Sequence, residues 1–319
     1  MNIEIISYQQ IDEAVWDSFC VNAENATLLH TRRFLSYHGT RFNDHSVLIT
    51  KDGKLAGLFP AAESPQNPEK IVSHPGITYG GLLHQGNLGG MLMVEVLCKI
   101  CRYYAREGYQ WLEYKPVPFI YTARPVQDDL YALFRLGAKR LRTDLSCAID
   151  LGNQRPLNQR RKRALKKARL VVTVSSDPAL LGDLWGVLAE NLARRHETKP
   201  VHSLAELTLL REKFPQEIII RCALIDGLVE AGLVLFNSPM VWHTQYIAAS
   251  EVAYKVSALD AVFDAVIHEA QQKGVRYFDF GISNEKEGWV LNDGLYRFKS
   301  EFGGGGIIHE CYELLLDRH

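Results

Sequence analysis

Apolar and polar positions recur along this chain with two periods, by twos and by threes and fours, and the periods mark out its elements. Residues 3–7 read as a strand. Ile11 to Cys20 has helical spacing with Asp12 near its start, and Leu28 to His38 reads as a second helix, aromatic-rich on one side. Two apolar runs, Ser46–Thr50 and Leu55–Pro60, flank Asp52-Gly53 and predict a hairpin. A strand at Lys70–Ser73 leads into the loop His74–Gly81. A helix from Gly90 to Glu107 then stops at Gly108, before the strand Tyr109–Tyr114.

The second half repeats this order. Ile218–Leu224 and Glu230–Phe236 flank Asp226-Gly227, Val241–Ala249 is a strand, and Ser257 is placed to cap a helix that runs to Lys273 and stops at Gly274 before the strand Val275–Phe280. ITKDGKLAGLFP aligns with ALIDGLVEAGLVLF, and AREGYQWLEY with QQKGVRYFDF, so the pattern argues for a duplicated domain. Between the halves, Arg155–Arg169 has helical spacing with Leu157, Ala164, Leu165 and Ala168 facing inward. Leu180–Arg195 is a further helix, and Ser203 with Glu206 forms a capping box for the next.

Composition adds limits. The 319 residues suit two domains, are 47% hydrophobic and 23% charged, and carry a net charge of −1. No apolar run has the length of a membrane span, and the acidic, helix-like N-terminus does not read as a signal peptide. Six cysteines are scattered. Cys98 and Cys101 stand one turn apart inside a helix, where packing explains them, and a reducing cytoplasm is the expected setting. The run 155–169 holds eight basic residues and no acid. With those cations set aside the net charge of −1 becomes −9, so the charge is local. A solvated helix face accounts for it, as does a surface for phosphate groups on a nucleotide, a lipid pyrophosphate or RNA.

The most unusual stretch is Asp279–Gly306. It leaves a strand at Gly281, turns at Asn292-Asp293-Gly294, and sets Lys299 between Phe298 and Phe302 ahead of four glycines. Such a segment suits either a surface helix with a glycine hinge or a site that brings backbone amides and one fixed cation to a developing oxyanion.

The duplicated hairpin-strand-helix-strand order, the central RRKRALKKA, and the ending FDFG…GLYRFKSEFGG resemble the FemAB-like branch of the GNAT acyltransferase superfamily. SHPGITYGGL, RHETKPVHSLAEL, HTQYIAAS and FDFGISNEKEGWVLNDGL carry the likeness through both halves. The resemblance implies an α+β protein of two tandem GNAT-like domains, each a mixed, mostly antiparallel sheet flanked by helices. Residues 1–150 would form the acceptor side and 151–319 the acyl-transfer side. It implies transfer of an acyl or aminoacyl group to an amine of a cell-envelope precursor or amino sugar. No cofactor would be tightly bound, and acyl-CoA or aminoacyl-tRNA would be the co-substrate. The partner would be a small-molecule, lipid-linked or nucleotide-linked precursor, met in the cytoplasm or at the inner face of the membrane. A binding module for such a precursor, without chemistry, is the competing reading. Where ordinary acetyl-CoA-dependent members carry R/Q-x-x-G-x-G/A, this chain has Ala248–Lys255, and it lacks the coiled-coil insertion of some aminoacyl-transferring members.

The family's F-K-x-x-F-G motif falls on Phe298, Lys299, Phe302 and Gly303, which implies an oxyanion-stabilising role for Lys299 with Phe298 beside it. Either His243 or Asp279 can take the amine proton, and Asp279 can equally brace the Gly281 turn. Alternation along the strand puts Gln245 on the face of His243 and Tyr246 on the opposite one. His74, Thr78, Tyr79 and Gly80, with Lys115 and Tyr121, are expected to line an acceptor groove. Arg195, His196, Lys199 and His202 would form its other rim, and Asn292 completes the substrate-binding set. His196 and His202 have no third partner at metal-ligand spacing, so no metal site is expected.

Overall fold

The computed structural model describes residues 2–195 and 200–316. Of these, 2–145, 284–290 and 308–316 form one compact unit, and 146–195, 200–283 and 291–307 form another. The boundary expected at 150/151 falls at the end of the strand Lys139–Asp150, inside which the chain first crosses between units. Segments 284–290 and 308–316 return to the first unit.

The first unit holds an antiparallel sheet in the order Ile3–Ser7, Val47–Lys51, Lys54–Phe59, Leu83–His84. A second set of strands runs Ala62–Ser64, Asn67–Val72, Trp111–Tyr114 and 308–315, with 67–72 and 111–114 parallel. Helix Met91–Arg106 turns Met93, Val96, Leu97, Ile100, Cys101 and Tyr104 into the core, where they meet Ile49, Phe59, Ile71 and Leu112. Cys101 is thus a buried free thiol that packs. The second helix expected at 28–38 is broken into short turns around Arg32–Leu35. The Asp17 carboxylate accepts the Arg32 and Arg33 backbone N–H groups there.

The second unit orders its strands as 146–150, Tyr277–Ile282, Val241–Ala249, Leu228–Asn237, Ile218–Ile225 and Thr173–Ser175. Only 241–249 and 277–282 are parallel. Helix Ala258–Gln272 buries Val262, Phe263, Val266 and Ile267 against the sheet. Phe263 gathers Phe278, Phe280, Phe298 and Phe302 around it at ring-centre separations of 5.0–6.1 Å. Truncating one of the fully buried rings to Ala costs about 3–5 kcal/mol. The basic helix, Gln159–Ala168, is capped by the Asn158 side chain, which accepts from Arg161 N–H at 2.8 Å. Its inner residues Leu165 and Ala168 pack on Ala261.

The duplication shows at two hairpins. Asp52 and Gly53 have φ of 50° and 76°, and Asp226 and Gly227 have φ of 50° and 80°. These left-handed pairs match the twist of the flanking strands, which is why Asp-Gly was selected in both halves. Ser257 does precede helix 258–272, but in a left-handed conformation (φ 59°) and without a side-chain cap. It joins that helix to the short Glu251–Val256 helix.

Candidate active site

In the aspartate strand, Tyr277–Ile282, alternation sends Phe278 and Phe280 into the aromatic cluster and Asp279 to the other face. The neighbouring histidine strand, Val241–Ala249, pairs with it at Val241–Tyr277, Trp242–Phe278 and His243–Asp279, and no further. Past that rung the two strands part. Gly281, at φ 79°, takes the turn in a conformation that other residues adopt only under strain, and a Cβ there would sit 3.4 Å from His243 Cε1.

Asp279 is completely buried and well supplied with donors. Oδ1 accepts from the Ser146 hydroxyl and from Gly281 N–H at 3.0 Å, and Oδ2 lies 2.9 Å from His243 Nδ1. His243 keeps 17% of its side-chain surface exposed. With the carboxylate on Nδ1–H, the lone pair is on Nε2, the tautomer that accepts a proton. The carboxylate therefore orients a histidine that reaches the surface of the unit. Ser146 is the residue that sequence reasoning missed. It stands 133 residues from Asp279, and no local pattern marks it.

The histidine strand carries a bulge that reverses one expectation. Phe236 pairs with His243, Leu235 with Thr244, and Val234 with Tyr246, so Gln245 is skipped. Phe236 and Val234 share a face, hence His243 and Tyr246 share it too. Strict alternation had put Gln245 there and Tyr246 opposite. Tyr246 OH lies 2.5 Å from His202 Nδ1 and 3.1 Å from the His202 backbone N–H, so His202 joins this face. Trp185 meets the Tyr246 ring edge-on at 5.3 Å.

Lys299 lies on helix Asp293–Ser300 and is only 3% exposed. Its ammonium donates to the carbonyls of Gly281 (2.9 Å) and Ile282 (2.6 Å), just where the aspartate strand leaves the sheet. Burial lowers its pKa to about 8 although Asp279 and Cys147 pull the other way. Burial also pushes the Cys147 thiol up to about 12, which removes it as a thiolate nucleophile. Two of the four glycines after Lys299 are held by close packing. A Cβ on Gly303 would lie 2.3 Å from the Arg155 carbonyl oxygen, and one on Gly304 2.8 Å from Cys147 Sγ, so both are needed for backbone packing. Phe298 is partly buried under Arg161, whose guanidinium carbon lies 4.6 Å from its ring centre. Asn292 caps the lysine helix, accepting from Leu295 N–H at 3.0 Å.

Of the other expected residues, Arg195 ends helix Leu181–Arg195, and His196 and Lys199 lie outside the described residues. In the first unit, the 73–81 loop does bring its candidates together. Lys115 donates to the carbonyls of His74 (2.8 Å) and Ile77 (2.5 Å), and Tyr79 packs on Tyr121 at 4.7 Å. Thr78 is exposed and Gly80 is buried against the Ser73 carbonyl. His74, at φ 62°, is buried, and that burial, with His38, Lys115 and Arg32 nearby, holds its pKa well below the usual imidazole range. His30 and His38, not singled out beforehand, lie behind this loop. The His30 Nε2 is 3.2 Å from Gly80 O, and the His38 Nε2 is 3.1 Å from Gly76 O.

Residues 153–300 match the model of the acetyltransferase (GNAT) domain. That match spans a little under half of the chain and makes residues 153–300 similar to that domain. Among solved structures, FemX superposes with a TM-score of 0.72 at 12% identity, covering 98% of each chain. The C-terminal domain of a putative lysylphosphatidylglycerol synthetase from Agrobacterium fabrum follows at 0.63 and 12%, over 96% of this chain and 92% of that one. A tandem GNAT protein from the clavulanic acid biosynthesis pathway gives 0.54 and 8%, over 99% of both. The fold is that of tandem GNAT proteins in their FemAB-like form. No curated protein matches the sequence.

At the junction after the histidine strand, Ser250 caps the Glu251–Val256 helix through Ala253 N–H at 3.1 Å and gives its hydroxyl proton to Glu230. Two carboxylates, Glu230 and Glu251, thus stand at the end of the strand.

Proposed function

We propose that the protein transfers an acyl or aminoacyl group, from a CoA thioester or a tRNA ester, to an amine of a cell-envelope precursor or amino sugar. The observation that carries this reading is the His243–Asp279 pair: a buried carboxylate with three donors, holding a partly exposed imidazole in its proton-accepting tautomer. The amine nitrogen attacks the donor carbonyl, and His243 Nε2 takes the proton that the nitrogen sheds. The tetrahedral oxyanion collapses, the carbon–sulfur or carbon–oxygen bond breaks, and the proton passes to the leaving group. Lys299 has one ammonium N–H beyond the two given to Gly281 and Ile282. This reading assigns that N–H and its charge to the oxyanion. Tyr246 and His202 border the same face of the sheet and would shape the acceptor site.

The parting of the strands beyond His243–Asp279 supports donor entry there, since the facing backbone of Thr244–Ala249 has no strand partner on that side among the described residues. The test is a mass-spectrometric screen of amino sugars and envelope precursors against acyl-CoA and aminoacyl-tRNA in parallel. Wild type should yield an acylated amine with one donor class, and His243→Gln should lose about 100- to 10,000-fold in rate while still binding the acceptor. An acceptor that binds without any transfer would make the protein a binding module. A His243→Gln protein as active as wild type would sink the proton-transfer assignment.

A further inference from the structure

Independently of that reaction, we infer that the outer face of the basic helix Gln159–Ala168 docks on a bilayer bearing anionic lipid headgroups. Arg161, Leu165 and Ala168 are its buried side. The opposite side carries Lys162, Arg163, Lys166 and Lys167, all exposed and without a carboxylate partner among the described residues. Arg160 and Arg169, on the flanks, are paired with Glu301 and Asp264. Like charges at Lys162–Lys166 and Arg163–Lys167 are four residues apart, a spacing that weakens the helix unless a counter-charge faces it.

A second feature points to lipid rather than to a polynucleotide. Leu170, bonded back to the Lys167 carbonyl at 3.1 Å, continues the row of cations one turn further and is 81% exposed; Val171 beside it is 50% exposed. Aliphatic groups at the end of a cationic row gain nothing from a phosphate backbone. At a bilayer they enter the acyl boundary while lysine and arginine stems lie along it with their charges among the headgroups. The buried side of the helix ties this face to the lysine helix, because Arg161 Nη2 donates to the Phe298 carbonyl at 3.0 Å and bonds Glu301.

The test is co-sedimentation of the full chain with vesicles of equimolar phosphatidylglycerol and phosphatidylcholine, and with phosphatidylcholine alone. Binding should require the anionic lipid and fall as salt rises. Each cation neutralised in a Lys162→Gln, Arg163→Gln, Lys166→Gln, Lys167→Gln series should weaken it roughly fivefold. Leu170→Ser should weaken it further at constant charge. Unchanged melting temperatures would confirm that these surface variants fold. Equal affinity for both vesicle types, no loss in the series, or no effect of Leu170→Ser would each overturn the inference. So would salt-sensitive binding of bulk tRNA that depends on the same cations in the absence of vesicle binding, which would make the face an RNA site.

Discussion

Each unit of the molecule holds a lysine against a pair of backbone carbonyls at a strand end, and the two lysines differ in their histidine neighbours. Lys115 holds His74 O and Ile77 O; Lys299 holds Gly281 O and Ile282 O. Burial lowers both to a pKa of about 8. Beside Lys115, His74 is buried and kept neutral. In the second unit, Asp279, which acts on Lys299 through its charge, also orients the partly exposed His243. A lysine bridging two carbonyls is therefore a way of pinning a chain as it leaves a sheet. The carboxylate behind the histidine is what distinguishes the second unit, and on the proposed reading it equips that unit for proton transfer.

The sharpest way to break that contrast is at Asp279. Asp279→Asn keeps the volume but removes the charge that fixes the His243 tautomer, so kcat should fall about a thousandfold. Retained melting behaviour would show that the loss is chemical. A loss below about tenfold would reduce Asp279 to the brace of the Gly281 turn that the sequence also allowed.

The lysines come next. Lys115→Met and Lys299→Met each strand two carbonyls, and each should cost about 2–3 kcal/mol in denaturant unfolding. They should differ with pH. A neutral amine still has two N–H groups for two carbonyls, so the brace survives deprotonation while the charge does not. Because the folded pKa is depressed, the folded protein releases this proton first, and the group's contribution to stability grows between about pH 8 and the ordinary lysine range. If Lys299 stabilises an oxyanion, activity falls as pH rises through about 8 while stability does not. Lys299→Arg should move that alkaline limb upward. A pH–rate profile without the limb would make Lys299 a brace like Lys115.

The smallest effect is on the acid side and concerns the first unit. Burial lowers His30 to about 4 and depresses His74 and His84. These groups are neutral when folded and take up protons when unfolded. Their contribution is present above the ordinary imidazole pKa and is lost as pH falls toward the folded values. Asp129, raised by burial to about 6, opposes them by one proton. The net loss near pH 5 should be about 1–2 kcal/mol, read as hydrogen-exchange protection corrected for intrinsic rate. Peptides of residues 27–84 should lose protection before those of 218–282, and the reverse order would overturn the assignment of acid sensitivity to the first unit.

Much of the architecture was legible because its causes are local. Asp-Gly pairs marked both hairpins, Gly108 and Gly274 marked helix ends, and Ser203 with Glu206 forms the predicted capping box. His243 and Asp279 fall on two strands read from the pattern, and in the fold those strands pair at these two residues. Reading failed where one residue changed the parity of a strand or the hand of a helix junction. The bulge at Gln245 moved Tyr246 to the His243 face, and Ser257 is left-handed where a side-chain cap was expected.

The sequence alone determined a duplicated α+β order, a GNAT-like motif set and a concentrated basic helix, since each follows from chemistry spanning a few consecutive residues. Tertiary structure alone decided that Ser146 and Gly281 hold the Asp279 carboxylate, that Lys299 is spent mainly on two carbonyls, and that Gly303 and Gly304 are pressed against backbone. Those outcomes depend on which groups far apart in the chain compete for the same buried donors and acceptors, a competition that exists only after the sheet has formed.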